Sequence, residues 1–342
     1  MWNLKHWSEP NIERLLRTFR HEKTDRVPNF EFFIGKRNVE YILGKQTNNT
    51  WRLNPTDYVI LAQRIGMDAV GTTIFNVLKE GTGLPQIPEV GCKGKFSDWD
   101  SLKRFERNMK PAELDHEKML QYFRAVKGTN IGIWVHFTGG LTWAYEQMGF
   151  ENFCLALHDD INYVEHLMDL IVQQNIVLLR EILEYDISFV HIGDDLGYRS
   201  GLLINPGILN RIWVPRISKV LQLIKKRELP VTFHSDGTIM EIIPILIELG
   251  FCALNPIEPY GNDIYTIKQR YGDKLCLIGN IDIAGPLAFG TPEEVEAEVK
   301  EHLDRLAWGG GYVMATSHSV IDDIPPENFL TMIKVTNEYG KY

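Results

Sequence analysis

The feature that most constrains this chain is an alternation, kept up along its length, of short apolar runs rich in β-formers with longer segments of helical period. Candidate strands fall at Val27–Phe33, Ala69–Ile74, Ile131–Phe137, Ser188–Gly193, Pro230–His234, Cys252–Asn255, Leu275–Gly279 and Tyr312–Thr316. Most are bounded by Gly, Asp or Asn, and runs this short and apolar suit strands buried on both faces. Between them, Val164, Leu167, Met168, Ile171, Leu178, Leu179 and Ile182 keep a 3-4 spacing that Asn175 interrupts. Thr291-Pro292-Glu293-Glu294 places an N-cap, a first-turn proline and a glutamate three residues after the cap. Leu249-Gly250 and Tyr271-Gly272 read as C-terminal caps. About eight strand–helix units predict a parallel barrel or a doubly wound sheet, which the pattern alone does not separate.

A length of 342 residues fits one barrel with insertions. The segment 79–124 is polar and poorly patterned, and is expected to be an insertion within a single domain spanning 1–342. With 45 acids against 36 bases and a net charge of -9, the chain has no basic footprint for nucleic acid. Cys92, Cys154, Cys252 and Cys276 are scattered without a CxxC pair, against a disulfide framework or zinc knuckle. The opening stretch has no apolar leader core, and no run approaches a transmembrane length. A cytoplasmic protein with no membrane or nucleic-acid partner is expected.

In a parallel barrel, side chains at the C-terminal strand ends converge on one mouth. Here they include Glu31, His136, Asp194, Asp195, His234, Asp236, Glu258, Asn280, Asp282 and His318. His234-Ser235-Asp236 places two potential ligands on one face, because strand side chains alternate. With His318 after the last strand, they form a two-histidine, one-carboxylate set suited to zinc or another divalent ion. The alternative is a hydrogen-bonded histidine beside an aspartate that caps the helix starting near Thr238. Of the adjacent Asp194 and Asp195, one is expected to face the mouth, as general base, donor-binding group or metal neighbour. Glu258, framed by Pro256 and Pro259, suits a placed catalytic carboxylate or a structural turn. Gly139-Gly140 after His136 would let backbone amides approach a ligand. Trp143 and Tyr145 are candidates to line a substrate pocket, with core packing as the alternative.

Taken in order, these segments resemble the uroporphyrinogen decarboxylase superfamily. The resemblance is carried by Glu13-Arg14-Leu15-Leu16 through Pro28, Phe137–Gly140, Met148–Phe153, Gly193–Gly197, His234–Gly237, Leu254–Pro259, Gly279–Asp282, Gly310–Tyr312 and Pro326–Asn328. It implies a (β/α)₈ TIM barrel, and leaves the reaction open, since one fold hosts several. True decarboxylases of this family carry an arginine-rich loop near the start and a pyrrole-binding aspartate after the second strand. This chain has Phe33–Asn38 and Thr72–Asn76 at those places, so a tetrapyrrole with eight carboxylates would meet too few cations.

The branch of zinc-dependent cobalamin methyltransferases is the better match. Its thiol-methylating members resemble a His-x-Cys pair followed by a later cysteine on zinc. Here the pair reads His234-x-Asp236 and the later position His318. Replacing thiolates by oxygen and nitrogen donors leaves a harder Lewis acid, better matched to an ether oxygen. The resemblance thus implies a methyltransferase that demethylates a methoxylated or methylated small molecule. Its acceptor would be a corrinoid on a separate protein, since no Asp-x-His-x-x-Gly loop for a corrinoid occurs in the chain. In this scheme His234, Asp236 and His318 hold the metal, and Glu258 or Asp194 delivers the proton. His136, Trp143, Tyr145, Asp195 and Asp282 are expected around the substrate. The resemblance also allows a homodimer. Two competing expectations are a metal-free lyase acting on a small acid, and a non-catalytic protein that binds a corrinoid or another ligand.

Overall fold

The computed structural model describes residues 9–83, 96 and 98–342. Nine strands are defined among them: β1 (Ala69–Thr73), β2 (Gly132–Thr138), β3 (Phe189–Gly193), β4 (Gly197–Tyr198), β5 (Gly201–Leu202), β6 (Val231–His234), β7 (Ala253–Asn255), β8 (Cys276–Ile278) and β9 (Tyr312–Val313). Seven of these make one parallel sheet in the order β1-β2-β3-β6-β7-β8-β9, while β4 and β5 form a small antiparallel hairpin. Sequential neighbours joined through helices are the arrangement expected of βα units. The sheet curls into a half-barrel.

The expected first strand, Val27–Phe33, is not regular. It meets the β9 side through single bridges, Asn29 to Met314 and Ile34 to Val320. The Phe30 N–H donates to the Met314 carbonyl at 3.0 Å, and the Met314 N–H donates to that of Pro28 at 2.9 Å. Two sequence features explain the irregularity. Pro28 has no N–H to give a ladder. The side chains of Arg26 and Asn29 instead reach the carbonyls of Gly66 and Ile65.

Alternation along each strand separates two cores. Outward-facing Val70, Ile133, Val135, Val190, Ile192, Phe233, Leu254 and Leu277 pack under the surrounding helices. Inward-facing Ala69, Trp134, Phe189, Ala253, Cys276, Ile278 and Val313 fill the barrel with Phe30, and Leu15 and Phe19 of the helix Ile12–Phe19 join them. At the N-terminal end of β1, Arg14 binds Asp68 at 2.5 Å and Asp25 at 2.7 Å. This is the barrel face that serves stability.

The helix Ile161–Ile182 buries the predicted stripe, and Asn175 breaks it because its amide donates to the Thr138 carbonyl at 2.7 Å. Thr291 and Glu294 form the expected capping box. The segment 79–124 is more ordered than its pattern suggests: Trp99–Asn108 is a helix, and another runs His116–Val126, with Leu102, Met119 and Tyr122 buried. The part of that expectation covering 84–95 and 97 lies outside the described residues, as does Cys92.

Candidate active site

Register sets the site's geometry. Gly193 of β3 pairs with His234 of β6, and His234 pairs with Asn255 of β7. The His234 ring therefore stands level with the Asn255 side chain, and its Nδ1 lies 3.0 Å from Asn255 Oδ1. The Asn255 Nδ2 donates to the Ile278 carbonyl at 3.4 Å, which turns the amide oxygen toward the imidazole. Asn255 thus engages Nδ1, and Nε2 faces Asp236, whose Oδ1 is 3.5 Å away.

Asp236 follows two residues later and is held from both sides. Its N–H donates to Asp195 Oδ1 at 3.1 Å, and its Oδ2 lies 3.1 Å from His318 Nε2. One ligand atom each from Asp195, His234 and Asp236 come within 4.8 Å of one another. Of the predicted set, His234 and Asp236 thus meet as expected, while Asp195 completes the close group. His318 stands beside it as the partner of Asp236. Glu258 reaches the same loop: its Oε2 accepts the Gly237 N–H at 2.8 Å. Ile257, a buried β-branched residue at φ 64°, precedes it in a costly left-handed conformation. Its carbonyl accepts the Asn280 amide at 2.6 Å, fixing the turn that aims Glu258.

Contact without side chains ties the neighbouring hairpin to this loop. A Cβ on Gly197 would lie 2.7 Å from the Thr238 nitrogen, and one on Gly237 would lie 2.3 Å from the Gly197 carbonyl carbon. The Thr238 N–H donates to the Tyr198 carbonyl at 2.9 Å.

The charges interact strongly. The hydrogen bond that His318 donates to Asp236 raises the His318 pKa above its ordinary value, against a smaller effect of burial. Burial alone would raise Asp236, but His318 and His234 together hold it below the usual aspartate value. Burial raises Asp195, with the His234 charge opposing, and burial also raises Glu258. Below the cluster, inside the barrel, His191 is fully enclosed and His136 is half-buried. Burial and the neighbouring His234 charge push His136 down to about 3, and burial drives His191 well below its ordinary value. Phe32 packs on both rings and on His234, at centroid distances of 5.0, 5.3 and 5.4 Å. His136 therefore stands as a neutral group under the cluster, over Gly193, where any side chain would displace it.

Three expected residues are placed elsewhere. Asp194 is buried and turned from the cluster, accepting from Trp213 Nε1 at 2.6 Å and from the Thr142 N–H at 2.9 Å. It anchors the start of the helix Leu141–Met148, and its proximity in sequence to Asp195 does not carry over into space because adjacent side chains diverge. Trp143 is buried in the outer core against Phe96. Asp282 accepts the Ala284 N–H at 2.9 Å in its own turn, while its N–H donates to Glu298. Tyr145 sits closer: it hydrogen-bonds Thr142, whose Oγ1 in turn accepts the Asp195 N–H at 2.7 Å.

Sequence reasoning missed Asn255 as the histidine's partner, and also Glu146. Burial and the nearby Asp195 charge push Glu146 up to about 7. A carboxylate in the otherwise nearly uncharged helix Leu141–Met148 was the available signal.

Comparison with known proteins gives a consistent picture. The uroporphyrinogen decarboxylase family profile matches residues 50–339. A uroporphyrinogen decarboxylase of Methylococcus capsulatus is 30% identical over 129 residues, 37% of this chain and 35% of that protein. One from Hydrogenovibrio crunogenus is 25% identical over 186 residues, 53% of this chain and 50% of its own length. The chain thus spans between a third and a half of these curated relatives. Among solved structures, a methyltransferase from Methanosarcina mazei superposes with a TM-score of 0.71 at 18% identity, covering 97% of this chain and 99% of its own. That similarity establishes the shared fold. No helix of the described residues is long and apolar enough to cross a membrane.

Proposed function

The chain belongs to the uroporphyrinogen decarboxylase family, and from that premise we propose that it is a metal-dependent methyltransferase. In this reading it moves a methyl group from a methoxylated or methylated small molecule to a corrinoid carried by a separate protein. The fold is read as a full (β/α)₈ barrel, with the 27–34 segment as its eighth, irregular stave. The observation that carries the functional reading is the convergence of Asp195, His234 and Asp236 at the C-terminal strand ends.

The donors fit a divalent cation. The His234 Nε2 is left free by Asn255, and Asp236 Oδ1 is buried without a hydrogen-bond partner. Nitrogen and carboxylate ligands suit zinc or a similar ion. Such an ion supplies Lewis-acid polarisation of the donor's oxygen. The chain's own groups do the rest. Asn255 fixes the ligating tautomer of His234, and Asp195 holds the Asp236 backbone in place. Glu258, raised by burial, suits proton delivery to the departing oxygen. Tyr145 and Thr142 form the wall beside Asp195. The two cations of the 33–38 segment are engaged elsewhere: Arg37 donates to the Asp322 carbonyl, and Lys36 pairs with Glu40.

The decarboxylase names of the relatives favour a second reading, a metal-free lyase acting on a small acid, in which the raised carboxyls of Glu146 and Glu258 manage protons. Elemental analysis of the purified chain beside His234→Ala separates the two. About one metal ion per chain, lost in the variant together with methyl transfer to a reduced corrinoid, is the expected result. Turnover that persists in metal-free protein would overturn the methyltransferase scheme and leave the lyase.

A further inference from the structure

Beside the ligand cluster, Asp236 and Glu258 form one wall of a cleft of about 460 Å³, whose rim carries Tyr198, Arg199 and Tyr260. Tyr198 and Tyr260 are 65% and 59% exposed and line the cleft beside Arg199. The Arg199 guanidinium lies 5.5 Å from the centre of the Tyr260 ring. No ion pair joins Arg199 to a carboxylate among the described residues, and it is the one cation among the cleft's lining residues.

Its position is fixed by the backbone. Arg199 lies between β4 and β5, and the Gly197–Gly237 contact presses that hairpin onto the loop bearing Asp236. The Arg199 carbonyl accepts the Thr238 hydroxyl at 3.0 Å. The Arg199 backbone is thus joined to the loop that carries Asp236. A guanidinium presents its donors in a fork that matches a planar carboxylate.

We propose that Arg199 selects the methyl donor by binding a single anionic group on it, so that the substrate is a small methylated carboxylic acid. The proposal rests on the methyl-transfer reading above for the word donor; the anion site stands on its own geometry. One cation above a wall of carboxylates matches one anion. A neutral ether would gain nothing from it, and a polyanion would be repelled by Asp195, Asp236 and Glu258. Tyr260, 5.5 Å from the guanidinium, offers with Tyr198 an apolar flank to the body of the acid.

The test uses the full chain loaded with zinc and isothermal titration. The probes are methoxyacetate and the three methoxybenzoates, each paired with its neutral amide. Wild type is expected to bind at least one acid about tenfold more tightly than its amide, the scale of one partly exposed charge-assisted contact. Arg199→Ala should erase that preference, Arg199→Lys should retain part of it, and metal content should be unchanged in both. Equal binding of every acid and its amide, or a preference that survives in Arg199→Ala, would overturn the proposal, as would no binding of any acid. Methyl transfer to a reduced corrinoid is assayed separately with the same pairs. An Arg199-dependent preference without methyl transfer would refute the methyltransferase reading and leave the anion site standing.

Discussion

The His234 imidazole and the Asn255 side-chain amide meet 3.0 Å apart across adjacent strands, and this pairing decides which ring nitrogen faces Asp236. A ligating histidine depends on such a partner for its tautomer and orientation. Asn255→Ala is therefore expected to weaken zinc binding by about tenfold to a hundredfold, while Asn255→Asp, which keeps an acceptor, retains most of it. Competition with a chromogenic chelator measures both. Affinity unchanged in the alanine variant would mean that the imidazole orients itself.

Glu31 supports the other side of the site. It accepts the Thr316 N–H at 3.0 Å and the Thr316 hydroxyl at 2.7 Å, and burial pushes its carboxyl up to about 8. The folded chain thus keeps a proton that the unfolded chain releases near 4.5. This contribution to stability is full below pH 4.5 and is lost as pH climbs through about 8. Glu31→Gln should flatten the fall in melting temperature across that window. An identical pH profile for both proteins would show that the group does not titrate there.

The hairpin contact should tolerate no side chain. With a Cβ on Gly197 only 2.7 Å from the Thr238 nitrogen, Gly197→Ala must push backbone against backbone. A loss of about 1–3 kcal/mol in denaturant unfolding is expected, with metal affinity falling in parallel. Wild-type stability together with wild-type metal content would mean that the two loops part without cost.

Asp194 offers a sharper contrast, because its buried carboxylate is engaged by Trp213 and the Thr142 N–H. Trp213→Phe is expected to destabilise the fold by roughly 1–3 kcal/mol by stranding a buried acceptor. The pH dependence of turnover in the remaining folded protein should not move. If Asp194→Asn instead abolished turnover in a fully stable protein, the proton role would return to Asp194 from Glu258.

Much of this was legible in the chain. Strand runs ending in His234, Asn255 and Gly193 announced themselves by apolarity, and His-x-Asp spacing put His234 and Asp236 on one face. What sequence spacing lacks is register. Nothing along the chain says that Asn255 stands level with His234, or that Asp195 rather than Asp194 turns toward the loop after β6. Position alone also made Trp143 a candidate for a pocket, whereas the helix carrying it rotates that ring into the outer core. The 27–34 segment misled for a different reason: its composition is that of a strand, but Pro28 has no N–H to give a ladder, and the segment pairs only through isolated bridges.

The naked backbone seam between Gly197 and Gly237 has a further consequence. Under the proposed reading, recognition and chemistry are geared together, since the loop that bears Asp236 and the loop that presents Arg199 meet at this seam. Lengthening the hairpin would therefore disturb the ligand cluster before it widened the range of molecules admitted. Changes meant to alter what the cleft admits belong on the exposed side chains, Tyr198 and Tyr260, and not on the seam.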